Sequence, residues 1–161
     1  MLEKCHSCGA ETPPSQTGVT HAYLDAAPGC WARYGEVLAR EYSNAQYFAV
    51  HAITVDAYAL QHPGTERSQT INSVNLHLAS LYAHYRNHVE IGQLPQLKQH
   101  LSQHKEQFQW LPPPTDLGKM TINDIWQAQS AEQHRERVLQ WGEIVLDCWR
   151  DYHRYIQEIC V

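Results

Sequence analysis

The chain has 161 residues, enough for one domain with its own core, and its 43% apolar and 18% charged residues are the balance of a folded protein, not a disordered one. A formal net charge of −5 at pH 7 leaves no basic face for nucleic acid or an anionic membrane, so neither is an expected partner. No stretch approaches the roughly 18 apolar residues of a membrane span and no apolar signal segment opens the chain, so the expected location is the cytoplasm.

Residues 1–29 form a distinct segment. Gly9, Pro13, Pro14, Gly18, Pro28 and Gly29 punctuate it and no helical period runs through it, so it reads as a small irregular cap. Residues 30–161 read as a helical bundle, the two parts making one domain. After Pro28-Gly29, Trp31, Tyr34, Val37 and Leu38 recur at helical spacing as far as about Tyr42. Ser43 or Asn44 can cap a second helix with Ile53, Ala57 and Leu60 on its stripe, ended by Pro63-Gly64. A third helix opens at Thr65 and carries Ile71, Val74, Leu78, Leu81 and Tyr85.

A mostly polar helix over Leu94–Phe108 precedes the Pro112-Pro113-Pro114 break. Thr121 to Asp124 resembles a capped start. Ser130 with Gln133 makes a capping box for a last helix bearing Val138, Trp141, Val145, Cys148, Tyr152, Ile156 and Ile159. No strand-like alternation appears. The expected fold is all-α, a bundle of four to five main helices behind a Cys-rich N-terminal cap.

Five cysteines, an odd count, read in a reducing compartment as metal ligands or core residues and not as disulfides. Cys5-His6-Ser7-Cys8-Gly9 has the C-x-x-C-G form of a zinc knuckle, in which two thiolates bind one ion across a tight turn and glycine permits the backbone angles. A tetrahedral site needs two more N or S ligands. Cys30, at a helix N-terminus that favours a thiolate, and His21 are the nearest candidates; His6 is the alternative to His21. Cys5, Cys8, His21 and Cys30 would make a closed, structural Cys₃His zinc site. The bland alternative is ordinary thiols in a frayed terminus with Cys30 in the core.

The third helix aligns His77, His84 and His88 on one face, and only His84 and His88 have chelating i, i+4 spacing. The second helix adds His51 and Asp56, with His62 at its end. An antiparallel packing of these helices would bring His51, Asp56, His62 and His77 together as candidates for an open, catalytic metal site. The competing reading is that they are boundary histidines with ordinary hydrogen-bond partners. No nucleophile elbow and no phosphate-cradling glycine loop accompanies them.

Several segments together resemble DUF5946, an uncharacterised bacterial family of unknown function. They are Cys5-x-x-Cys8-Gly9, Thr20-His21-Ala22-Tyr23, Pro28-Gly29-Cys30-Trp31, Val55-Asp56-Ala57-Tyr58-Ala59 with Gln61-His62-Pro63-Gly64, Ser73-Val74 with His77-Leu78, and Phe108-x-Trp110-Leu111-x-Pro113-Pro114. The resemblance implies that Cys5, Cys8, His21 and Cys30 belong to one pattern and draws attention to His51, Asp56, His62 and His77. It implies no activity. The leading expectation is a zinc-stabilised interaction or adaptor protein, with a protein partner or small-molecule ligand and a possible homodimer. A metal-dependent hydrolase or transferase and a metal sensor or chaperone are the alternatives.

Overall fold

The computed structural model describes residues 1–160, and these are helical for most of their length. Among them run eight α-helices: α1 (Pro28–Ser43), α2 (Ala45–Phe48), α3 (His51–Gln61), α4 (Ser68–Asn87), α5 (Leu94–Leu101), α6 (Ile122–Trp126), α7 (Ala131–Cys148) and α8 (His153–Ile159). The all-α class is as expected. The helices outnumber the predicted four to five because two of the predicted ones are broken.

The second breaks at Val50, whose φ of −111° and ψ of 11° leave the helical region, while Asn44 Oδ1 caps the short α2 by accepting from the Gln46 amide. The last breaks at Trp149 (φ −96°, ψ 17°), followed by a 3₁₀ turn at Arg150–Tyr152. Val50 and Trp149 are both wholly buried, and the Trp149 indole donates to Leu60 O at 3.3 Å. Each break thus turns a large apolar side chain into the core, a demand that periodicity along the sequence does not reveal. α4 starts three residues later than Thr65 suggested.

α3 is the central element. Every residue from Asp56 to Gln61 is buried, as expected of a helix covered on all sides, here by α4 and α7 with α1 alongside. Trp141, Val145, Leu78, Leu81 and Ile53 are wholly buried in the core. Thr121 and Asp124 exchange reciprocal bonds at α6 as expected, whereas at α7 the expected box is half formed: Ser130 Oγ accepts from the Gln133 amide, but Gln133 Oε1 accepts from the Gln129 amide instead of that of Ser130.

The cap contains a feature the sequence pattern did not show. Two-residue strands, β1 (Glu3–Lys4) and β2 (Glu11–Thr12), pair antiparallel with Glu3 opposite Thr12 and Lys4 opposite Glu11. They are too short for alternation to register. The hairpin docks on the start of α1, where the Gly29 amide donates to Glu3 Oε2 at 2.8 Å. A Cβ at Gly29 would lie closer than 3.0 Å to Pro13 O, Thr12 Oγ1 and Glu3 Oε2, so only glycine allows this approach. Among the described residues, no helix is long and apolar enough to cross a membrane.

Candidate metal centre

The β1–β2 hairpin presents Cys5 and Cys8 around a tight turn. Gly9 adopts φ +81°, its amide donates to Cys5 O at 2.9 Å, the Cys5 amide donates to Ala10 O at 2.8 Å, and the Ala10 amide points at Cys8 Sγ at 3.4 Å. A turn with amides facing a sulfur favours thiolate. The third sulfur comes from Cys30 in the first turn of α1, at the positive end of the helix dipole.

The fourth member is His62, not His21. His62 is the C-cap residue of α3, and its ligand atom lies with those of Cys5, Cys8 and Cys30 so that all four are within 4.8 Å of one another. Two of the contacts match the edges of a tetrahedral site. Bonds of about 2.3 Å to sulfur require S···S edges of roughly 3.8 Å, with S···N edges a little shorter. Cys8 Sγ stands 3.8 Å from Cys30 Sγ, and Cys30 Sγ stands 3.4 Å from His62 Nε2.

The tautomer fits as well. His62 Nδ1 lies 2.7 Å from Tyr58 O, a carbonyl that can only accept, so Nδ1 carries the proton and Nε2 keeps its lone pair for an ion. Tyr58 stacks on His62 at 4.0 Å and on Tyr34 at 3.8 Å, and its hydroxyl reaches Cys30 Sγ at 3.4 Å. The Asp25 amide donates to His62 O, tying the cap's last loop to the same residue. Cys5, Cys30 and His62 are buried, and Cys8 is partly so.

Three sulfurs this close cannot all ionise without a cation. Hydrogen bonds from Cys30 and Cys8 draw Cys5 far below the usual thiol range. Cys30 is pushed up by its hydrogen bonds to Cys5 and Cys8 and by burial. At Cys8 the Cys30 contact pulls downward, but the bond to Cys5 and burial prevail and push it up to about 12. A bound divalent cation removes this conflict by taking the protons' place.

His21 has a different task. Its Nδ1 accepts from the Tyr23 and Leu24 amides, both at 3.2 Å, so it closes a turn of the cap, and its ring packs against Tyr23 and Trp31. His6, the alternative ligand, pairs with Asp25 at 2.6 Å on the surface.

A model of a family of unknown function, DUF5946, matches residues 3–150, a span that includes all four cluster residues. The chain belongs to DUF5946. No curated protein and no solved structure matches it.

The DUF5946 chain does not bring His51, Asp56, His62 and His77 to one point. His62 belongs to the cysteine cluster. Asp56, wholly buried on α3, accepts from His77 Nδ1 and Lys98 Nζ, each at 2.7 Å, and from the Ser80 hydroxyl. Burial pushes its carboxyl upward, but the Lys98 charge and the His77 hydrogen bond outweigh this and hold it below the usual range.

His51 Nδ1 donates instead to Glu41 Oε1 at 2.9 Å, and Glu41 Oε2 accepts from His134 Nε2 at 2.8 Å and from Thr54. Burial raises the Glu41 carboxyl, while the two imidazoles and Thr54 lower it further, leaving it depressed. The antiparallel approach of the predicted second and third helices thus produces Asp56–His77 and not His51–His77. Both carboxylates are fully engaged by protein donors. His84 and His88 form no chelate either, since His84 Nδ1 donates to Val89 O and His88 is the exposed left-handed cap of α4 (φ 57°). Sequence reasoning missed Glu41, Lys98 and His134 altogether, because Lys98 and His134 lie far along the chain from their partners and Glu41 sits on α1, a different helix from His51 and Thr54. It also assigned His62 to the other set, although Gln61-His62-Pro63-Gly64 marked the position.

Proposed function

We propose that this protein is a zinc-stabilised helical interaction domain, an adaptor whose ion holds structure and does no chemistry. The observation that carries this reading is the closed Cys₃His cluster: four protein ligand atoms within 4.8 Å of one another, with the imidazole's other nitrogen already donating to Tyr58 O. Three thiolates and an imidazole select a soft, tetrahedral divalent ion, for which zinc is the common choice. No fourth position is left for water or substrate, and the ion joins the cap (Cys5, Cys8), the start of α1 (Cys30) and the end of α3 (His62). It therefore does for a segment without a core what apolar burial does elsewhere.

The interaction reading is further supported by an aromatic pair, Tyr42 and Phe48, with ring centroids 5.4 Å apart and exposures of 69% and 44%. Aromatic residues left in water beside an otherwise filled core suit a partner surface.

Elemental mass spectrometry of untagged protein tests the assignment. One zinc per chain is expected for the natural sequence and for His21→Ala, and none for Cys5→Ser or His62→Ala. Limited proteolysis should then cut residues 1–29 of the metal-free variants while circular dichroism keeps the helical signal. Zinc lost from His21→Ala and retained by His62→Ala would sink the ligand set. A water molecule found on the bound ion by spectroscopy would sink the structural role.

A further inference from the structure

We infer that the cleft between the α2–α3 junction and the Ile91–Lys98 segment binds a small organic acid, its apolar body in the cleft and its carboxylate on Lys98. The cavity measures about 390 Å³, within the range of small-ligand sites. Phe48, Ala52, Val55 and Ile91 give it an apolar wall, and His51 and Lys98 supply its polar groups.

Three observations specify an anion. First, Lys98 is largely buried, its side chain only 19% exposed, and the one hydrogen bond its ammonium makes among the described residues goes to Asp56 Oδ1. An ammonium has three donors, so two remain for a ligand, and a ligand without an acceptor would leave them dehydrated. Second, the wall includes His51 and Ala52, the opening residues of α3, and that helix carries no acidic residue in its first turn and no side-chain cap. Its first turn adds backbone N–H dipoles to the cleft wall, offset in part by the Glu41 carboxylate that His51 and Thr54 hold behind it. Third, both buried carboxylates stand behind the wall and not in it. Asp56 is consumed by Lys98, His77 and Ser80, and Glu41 by His51, His134 and Thr54. The group left open to a ligand is thus the Lys98 ammonium with its spare N–H donors. His51 adds no donor of its own, since its Nδ1 proton goes to Glu41 and its Nε2 accepts from the Tyr42 hydroxyl at 3.3 Å, while the Phe48 ring stacks on it at 4.7 Å.

The apolar wall excludes an inorganic anion as the best occupant, because such an ion would fill only the polar end. An aryl- or alkyl-carboxylate uses both. The inference concerns the α2–α3 junction and does not rest on the metal centre.

A titration of ¹⁵N-labelled, zinc-loaded protein with 3-phenylpropionate, and separately with its neutral amide, tests it. The acid should shift the amides of residues 48–55 and 91–98 saturably at millimolar concentration or below, at least tenfold more tightly than the amide. Lys98→Met should remove the difference between acid and amide. Because that variant disturbs Asp56, Gly92→Leu is the independent arm: Gly92 lines the cleft and a Cβ there meets nothing within 4 Å, so a leucine is tolerated at the cleft wall and is expected to obstruct it while leaving both carboxylates in place. It should abolish binding of both compounds and leave one zinc per chain. Equal binding of acid and amide, no saturable shift at those residues, or undiminished acid binding in Gly92→Leu would each overturn the inference.

Discussion

Replacing Asp56 with Asn keeps the shape and one acceptor oxygen but removes the charge that Lys98 and His77 face. Asp56 is 0% exposed and Lys98 lies 2.7 Å away. Removing one partner of a buried ion pair costs about 3–5 kcal/mol, because the remaining charge is left uncompensated. Here the lower end applies, since the Lys98 side chain is 19% exposed and its ammonium can turn towards water. At an unfolding entropy of about 2 cal/mol/K per residue, a loss of about 3 kcal/mol corresponds to a Tm drop of roughly 9 °C for a chain this long. Denaturant melts of the natural protein, Asp56→Asn, Lys98→Met and the double variant supply the cycle, and a coupling of at least about 1 kcal/mol is expected.

The sign of the pH dependence follows from the depressed Asp56 carboxyl. Its stabilisation is fully present above the unfolded aspartate value, about 3.9, and is lost as pH falls through the lower folded value. The gap between natural protein and Asp56→Asn should narrow below about pH 4, any metal contribution being common to both. A penalty under about 1 kcal/mol, strict additivity in the cycle, or a gap that fails to narrow below about pH 4 would refute this account.

Trp149→Phe should cost about 1 kcal/mol more than Trp141→Phe in chemical denaturation, since the Trp149 indole donates to Leu60 O whereas the Trp141 indole has no partner among the described residues. Gly29→Ala should destabilise by about 1–3 kcal/mol and speed zinc loss to a chelator, because its methyl drives the hairpin off α1. Zinc binding at pH 7 should release protons, because thiolates hold the ion whereas burial and the shared sulfur contacts keep thiols of the cluster protonated in the free protein, as read by calorimetry in buffers of different ionisation enthalpy. For the same reason zinc should be held less tightly as pH falls.

Helix existence was legible in the sequence because apolar spacing, Pro63-Gly64 and the Thr121 and Ser130 caps are local signals. The breaks at Val50 and Trp149 were not, since each answers to the packing of a single side chain in a core assembled from distant segments. The knuckle itself was equally local: Cys5-x-x-Cys8-Gly9 carries its own geometry. Its completion was not. His21 is nearer in sequence, yet its ring closes a turn of its own cap, whereas His62 reaches the sulfurs because the end of α3 lies against the start of α1. Likewise Asp56 and His77 were singled out, but Lys98, which neutralises Asp56, sits on a helix whose polar sequence offered no reason to place it inside.

Zinc K-edge X-ray absorption on the purified protein tests the central claim most directly. Three sulfurs at about 2.3 Å and one nitrogen at about 2.0–2.1 Å are predicted, with the nitrogen signal lost in His62→Ala and unchanged in His21→Ala. A shell with an oxygen from water, a nitrogen that disappears with His21, or a protein prepared without chelator that contains no metal would contradict it.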